Sequence, residues 1–190
     1  MRQHGGMNSS TQQLLKELRE DHSNMALILD VLENITDIAR SGDDPDFELV
    51  DEIIRYMTVY PDAVHHPKED LVYGELKKIR PDLAAGLDDV PADHREIAVL
   101  GTKLRDDVEA VIAGAAVRRE QFVADASEYV RRLRDHMKWE EEDLFLRIEE
   151  MIGEKSVTVD VDELQHSKDP LFELEVESGF RRLMASLRSD

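Results

Sequence analysis

The sequence contains no cysteine. Disulfides, thiolate nucleophiles, iron–sulfur clusters and zinc–thiolate sites are therefore excluded together. Aromatic residues are scarce, at 5%, and proline occurs only 6 times in 190 residues. Long hydrophobic runs are missing as well, since none approaches the roughly 20 apolar residues that span a bilayer. Positive charge is in deficit, with 24 Lys and Arg against 43 Asp and Glu and a formal net charge of −19. Such a surface repels phosphate backbones and anionic lipid, so neither a nucleic-acid nor a membrane partner is expected. It attracts cations, but without choosing among them. Residues 1–6 carry no apolar signal core, which makes a cytoplasmic location the expectation.

What is present is helical periodicity. Apolar residues at 41% and charged residues at 35% suit one globular domain with a short appendage. Leu15, Leu18, His22, Met25, Leu29 and Leu32 recur at steps of three and four, one stripe of a helix predicted over 10–40. Ser10 to Gln13 reads as its capping box, and Gly42 with Pro45 as its stop. A second helix is predicted over 46–80, with the stripe Val50, Ile54, Met57, Pro61, His65, Glu69, Val72, Leu76 and Ile79. Pro61 and Pro67 lie inside it and predict a kink. The third starts near Asp89, carries His94, Ile97, Gly101, Leu104, Val108 and Val111, and stops near Gly114. The fourth, over 117–153, carries Phe122, Tyr129, Leu133, His136, Glu140, Leu144, Ile148 and Met151.

The expected fold is all-α, an up-down antiparallel four-helix bundle over 10–153. Residues 1–9 are expected to be a disordered N-terminal segment. Residues 154–190 form a C-terminal extension with a β-branched stretch at 157–161 and a turn at Asp169-Pro170. Phe180, Leu183, Met184 and Leu187 predict a last short helix, packed on the bundle or on a second subunit. A monomer or homodimer is expected.

Polar residues interrupt the stripes at matching places. His22 precedes His65 by 43 residues and His94 precedes His136 by 42. His65 and His136 each have a glutamate four residues later, Glu69 and Glu140, and residues four apart share a helix face. The chain thus reads as a duplicated unit. Asp21-His22 and Asp93-His94 repeat locally too.

Imidazoles and carboxylates converging in a bundle interior are costly without a partner, and a pair of divalent metals solves that problem. If each ion takes about six donors, the four His and two bridging Glu leave room for a bridging oxygen and about two open positions. Nitrogen-rich ligation without thiolate suits iron, with zinc and manganese as alternatives. A single seam histidine would more often be a hydrogen-bonded core residue; the duplication is what points to metal. His4 and His166 lie outside the stripes and receive no role. Met25 and Met57 read as core filler, and Tyr56, Tyr60, Tyr129 and Trp139 as packing residues beside the site.

These residues resemble the hemerythrin-like family, in its bacterial HHE cation-binding form. The matching text is Glu20-Asp21-His22, His65-His66-Pro67-Lys68-Glu69-Asp70, Ala92-Asp93-His94-Arg95-Glu96 and His136-Met137-Lys138-Trp139-Glu140-Glu141, within residues 14–152. The resemblance implies a non-heme centre of two iron ions with a bridging oxo or hydroxo. It implies His22, His65, His94 and His136 as terminal ligands and Glu69 and Glu140 as bridges, with His66 as the alternate to His65. The oxygen-carrying members have five ligand histidines, whereas this chain offers four at the expected places and a second carboxylate. That shifts the expectation from reversible O2 carriage toward binding or reduction of a small diatomic or peroxide in stress response. Turnover would make the protein a peroxide- or NO-metabolising oxidoreductase. The alternatives are a metal- or oxygen-sensing interaction module without turnover, and a bundle that uses metal for stability alone.

Overall fold

A computed structural model describes residues 7–154 and 180–188. All regular structure among the described residues is helical. Helix α1 spans Met7–Ser41, α2 Phe47–Tyr60, α3 His66–Ile79, α4 Val90–Ile112, α5 Arg119–Trp139, α6 Phe145–Glu154 and α7 Arg181–Leu187. Helix α1 begins at Met7, so Ser10 to Gln13 lie inside it and do not form its start. His4, the 157–161 stretch, His166 and Asp169-Pro170 lie outside the described residues.

The helix ends follow local chemistry. The Asp46 carboxylate accepts from the Leu49 N–H at 3.0 Å and caps α2. Gly42 after α1 and Gly114 after α4 adopt φ of 105° and 90°, the left-handed conformation that only glycine takes without strain. These two stops are 72 residues apart, the same interval that separates His22 from His94.

Helices α2 and α3 form one continuous stretch through a wide π turn, Pro61–His65, closed by the His66 N–H on the Pro61 carbonyl. This is the form the kink expected at the prolines takes. Pro61 has no N–H for the Met57 carbonyl; the Tyr129 hydroxyl lies 3.5 Å from that oxygen and donates to it instead. A second π turn, Glu140–Leu144, joins α5 to α6, closed by the Phe145 N–H on the Glu140 carbonyl. No proline or glycine announces it.

Helix α1 packs on α5, α2 on α4, and α4 on α5. Gly101 on α4 permits the close approach: a Cβ there would meet Thr58 Cγ2 at 2.9 Å and Tyr129 Cε2 at 3.1 Å. The apolar interior falls into two parts. One gathers Met25, Leu29, Met57, Tyr60, Ile97, Leu133 and Met137, and the other Leu18, Val72, Leu76, Val90, Leu144 and Phe145. Each buried side chain of this size contributes about 1.5–3 kcal/mol. Between the two lies a polar layer holding Asp21, His22, His65, Lys68, Glu69, His136 and Glu140, all buried. Following the chain, α1 runs from the second part to the first, α2–α3 back, α4 forward and α5–α6 back again. Phe180 and Leu183 join the first part, where α7 packs on α1 and α2. No described helix is long and apolar enough to cross a membrane.

Candidate metal centre

The polar layer brings together all six side chains singled out by spacing. His22 Nε2 lies 3.4 Å from Glu140 Oε2 and 3.7 Å from Glu69 Oε1. His65 Nε2 lies 3.1 Å from Glu69 Oε1, and His136 Nε2 3.3 Å from Glu140 Oε2. His94 Nε2 lies 3.6 Å from Glu69 Oε2 and 3.0 Å from His136 Nε2. Each glutamate therefore faces histidines of both repeats. His66 stacks flat on His94, with ring centroids 3.7 Å apart, and pairs through Nδ1 with Asp62 on its own turn at 3.1 Å.

The outer nitrogens of three imidazoles are tied to carboxylates. His22 Nδ1 meets Glu141 at 3.1 Å, His65 Nδ1 meets Asp21 at 3.2 Å, and His136 Nδ1 meets Asp93 at 3.3 Å. A carboxylate on Nδ1 holds each ring with its Nε2 turned inward. The duplicated Asp-His pairs gain a purpose here. Each Asp lies one residue before a site histidine yet orients the histidine of the other helix in its repeat. Asp21 also accepts from the Tyr60 hydroxyl at 2.9 Å and from Lys68 at 3.2 Å, whereas Asp93 takes Arg132. The Tyr73 hydroxyl donates to Glu140 Oε1 at 3.0 Å. Sequence reading gave none of these outer residues a chemical role. The Asp-His repetition was the available signal for Asp21 and Asp93. Nothing local marks Tyr73, because its partner lies 67 residues away.

The electrostatics are those of a crowded, dry cluster. Burial would pull His65 down, but the charge of Glu69 and the bond to Asp21 outweigh it and lift it to about 8. His22 is raised as well, with burial outweighed by the nearby carboxylates of Glu140, Glu141 and Glu69. Burial and the charge of Glu69 push Glu140 up to about 7. Glu69 is held well below the ordinary carboxylate range, its burial outweighed by His65 and His22. Burial and the neighbouring imidazole His94 depress His136 to about 4 and His66 to about 3.

These donors fit metal ions. Two donors each about 2.1 Å from one ion sit about 3.0 Å apart at right angles and about 3.4 Å apart in a tetrahedron. The separations above cluster around those values, and the donor atoms of His22, His65, Glu69 and Glu140 all lie within 4.8 Å of one another. His22 Nε2, both oxygens of Glu69 and Glu140 Oε2 are buried without a hydrogen-bond partner. Buried polar atoms of this kind each cost on the order of 1–3 kcal/mol unless something pairs with them.

The family model of the hemerythrin HHE cation-binding domain matches residues 13–148. The chain belongs to that family. No curated protein and no solved structure matches it. The hemerythrin HHE match spans all six donors and ends inside α6, so α7 lies beyond it.

A small cavity of about 20 Å³ adjoins the histidines. Its inner wall is Met25, Met57, Ile97, Leu133 and Met137, with Tyr129 among the buried lining. Its partly exposed lining is Thr58, Asp62 and His66 on one side and His94 and Ala98 on the other. The expected core methionines thus also line the space beside the donors. Trp139, partly buried, packs against the second part of the core, 6.4 Å from His136 between ring centroids.

Proposed function

We propose that this hemerythrin HHE chain folds as an up-down four-helix bundle holding two iron ions, and that the centre binds or reduces a small oxidant: O2, peroxide or nitric oxide. The alternating order in which the helices visit the two halves of the core supports the up-down arrangement. The observation that carries the metal reading is the set of buried, partnerless donor atoms facing one another. His22, His65, His94 and His136 serve as terminal ligands, and Glu69 and Glu140 as bridges. His65 is preferred to His66 because Asp21 orients it as Asp93 orients His136, while His66 is engaged by the exposed Asp62. When bound, iron supplies one-electron redox chemistry and affinity for diatomic and peroxide ligands.

The rest is done by the chain. Its carboxylates hold the imidazoles inward, and its methionines and leucine give the cavity an apolar inner wall. A space of about 20 Å³ admits something the size of one water molecule. That selects diatomics and peroxide over organic substrates by size. The test is to load the protein anaerobically with ferrous iron, count metal per chain and record spectra with O2, peroxide and nitric oxide. Binding of a pair of irons with a spectral response supports the reading. Loading that stops short of a pair undoes the di-iron claim, and silence toward all the oxidants undoes the reactive one.

A second reading, a metal-sensing module without turnover, has one observation in its favour. Phe180 beside α7 packs edge-on against Tyr56 at 6.0 Å, Tyr56 stacks on Tyr60 at 5.3 Å, and Tyr60 holds the Asp21 that orients His65. Hydrogen exchange of α7 that is identical with and without iron would remove that reading.

A further inference from the structure

A seventh donor lies within reach of the six. The donor atoms of His66, Glu69 and His94 fall within 4.8 Å of one another. This group shares Glu69 with the set His22, His65, Glu69 and Glu140, and it shares His94 with the set His94, His136 and Glu140. It therefore touches both halves of the centre. It also lies farther out. Asp62, which meets His66 Nδ1 at 3.1 Å, is 58% exposed, the side chains of His66 and His94 are 15% and 11% exposed, and Glu69 is fully buried. His66 keeps its place by stacking flat on His94 and by its contact with Asp62.

The small cavity links these levels. Asp62, His66 and His94 line its partly exposed side, and His22, His65 and His136 line it from the buried layer. Behind the imidazoles, Glu141, Asp21 and Asp93 occupy the Nδ1 atoms of His22, His65 and His136. An ion bound for the inward-facing Nε2 atoms therefore approaches through the cavity. A space of about 20 Å³ holds about one water molecule, whereas a hydrated divalent ion carries about six. The ion must exchange waters for protein donors as it enters, because a bare charge against Met25, Met57 and Ile97 would be costly. His66 and Glu69 stand where that exchange begins. The charges of Asp62 and Asp70 reach His94 and add a negative field that draws cations to the opening.

We propose that His66, Glu69 and His94 form an entry port for divalent metal ions, with Asp62 at its outer edge, and that His66 is a residue of the port and not a resident ligand. This inference rests on the metal reading above and adds the path by which the centre is loaded and emptied. The port shares a donor with each resident set, so an ion moving inward exchanges one donor at a time and is never bare. Such a port lowers the barrier in both directions and leaves the free and the loaded protein as they were.

The test uses the metal-free full chain with Co(II) as the probe. Stopped-flow absorption follows its binding, and saturating EDTA then strips it. His66→Phe keeps a flat ring against His94 and removes the donor. It should slow both binding and release by about 10- to 100-fold, the weight of one interaction with a charged group. Co(II) per chain and the dissociation constant should stay as in wild type. Asp62→Asn should slow binding at low salt, and the difference should fade as salt screens the opening. Wild-type rates in His66→Phe would overturn the port. Loss of bound Co(II) in that variant would overturn it too, by making His66 a resident ligand. Both outcomes leave the metal reading intact, whereas a wild-type chain that binds neither Co(II) nor Fe(II) would overturn both. Where His66→Phe fails to fold, Asp62→Asn decides: binding at the wild-type rate in low salt overturns the port.

Discussion

Replacing Tyr73 with Phe removes one oxygen and keeps the packing. The ring sits in the second part of the core, 4% exposed, beside Val72, Leu76 and Leu144. Its hydroxyl is the donor to Glu140 Oε1, while Glu140 Oε2 already has no partner in the metal-free protein. Tyr73→Phe therefore leaves a fully buried carboxylate with no hydrogen bond on Oε1. A hydrogen bond to a charged group contributes about 1.5–3 kcal/mol, against about 0.5–1.5 kcal/mol for a neutral pair. Glu140 is held at about 7, so it is ionised at pH 8 and largely protonated at pH 6. Tyr73 itself stays a donor throughout, because burial and the charges of Glu69 and Glu140 raise it well above its ordinary value. At about 2–4 °C per kcal/mol for a chain of this size, the metal-free variant should melt about 3–12 °C below wild type at pH 8. The deficit should shrink at pH 6. Melting followed by circular dichroism at both pH values, with iron affinity measured by chelator competition, checks the expectation. Coincident melting curves at pH 8, or a deficit that grows on acidification, would refute the reasoning.

Gly101→Ala should destabilise the protein although alanine favours helix by about 0.5–1 kcal/mol. The new Cβ at 2.9 Å from Thr58 and 3.1 Å from Tyr129 introduces overpacking of about 1–3 kcal/mol; a denaturant midpoint above wild type would contradict this. Ala98→Trp, at the partly exposed side of the cavity, should slow nitric oxide association with iron-loaded protein and leave iron content unchanged, as stopped-flow and metal analysis can show. Metal-free protein should lose stability between about pH 6.5 and 4.5. His66 and His136, depressed to about 3 and 4, contribute stability above their unfolded value that is lost as pH falls. Glu140, raised to about 7, works the other way and offsets one of them, while His94, depressed by burial, adds to the loss, leaving at least about 1.4 kcal/mol per pH unit. Urea titrations across that range measure the slope, and a flat or rising stability on acidification would count against it.

The sequence by itself determined the helices, the face each presents and the six inward donors. Those follow from a period of 3.6 residues and a duplicated interval, both one-dimensional. They put His22, His65, Glu69, His94, His136 and Glu140 on stripes before any fold is known. The tertiary structure decided which others of the 43 acidic residues serve the site. Asp21, Asp93 and Glu141 stand out only when neighbouring helices set their axial register and rotation, quantities that no local window contains. The same holds for the Tyr73 hydroxyl on Glu140 and the Tyr129 hydroxyl on the carbonyl that Pro61 leaves free. Proline announced the first π turn as a kink, whereas the second, Glu140–Leu144, has no breaker residue. It appears where Glu140 and Glu141 bracket one imidazole of α1, a geometry that exists only once the helices meet.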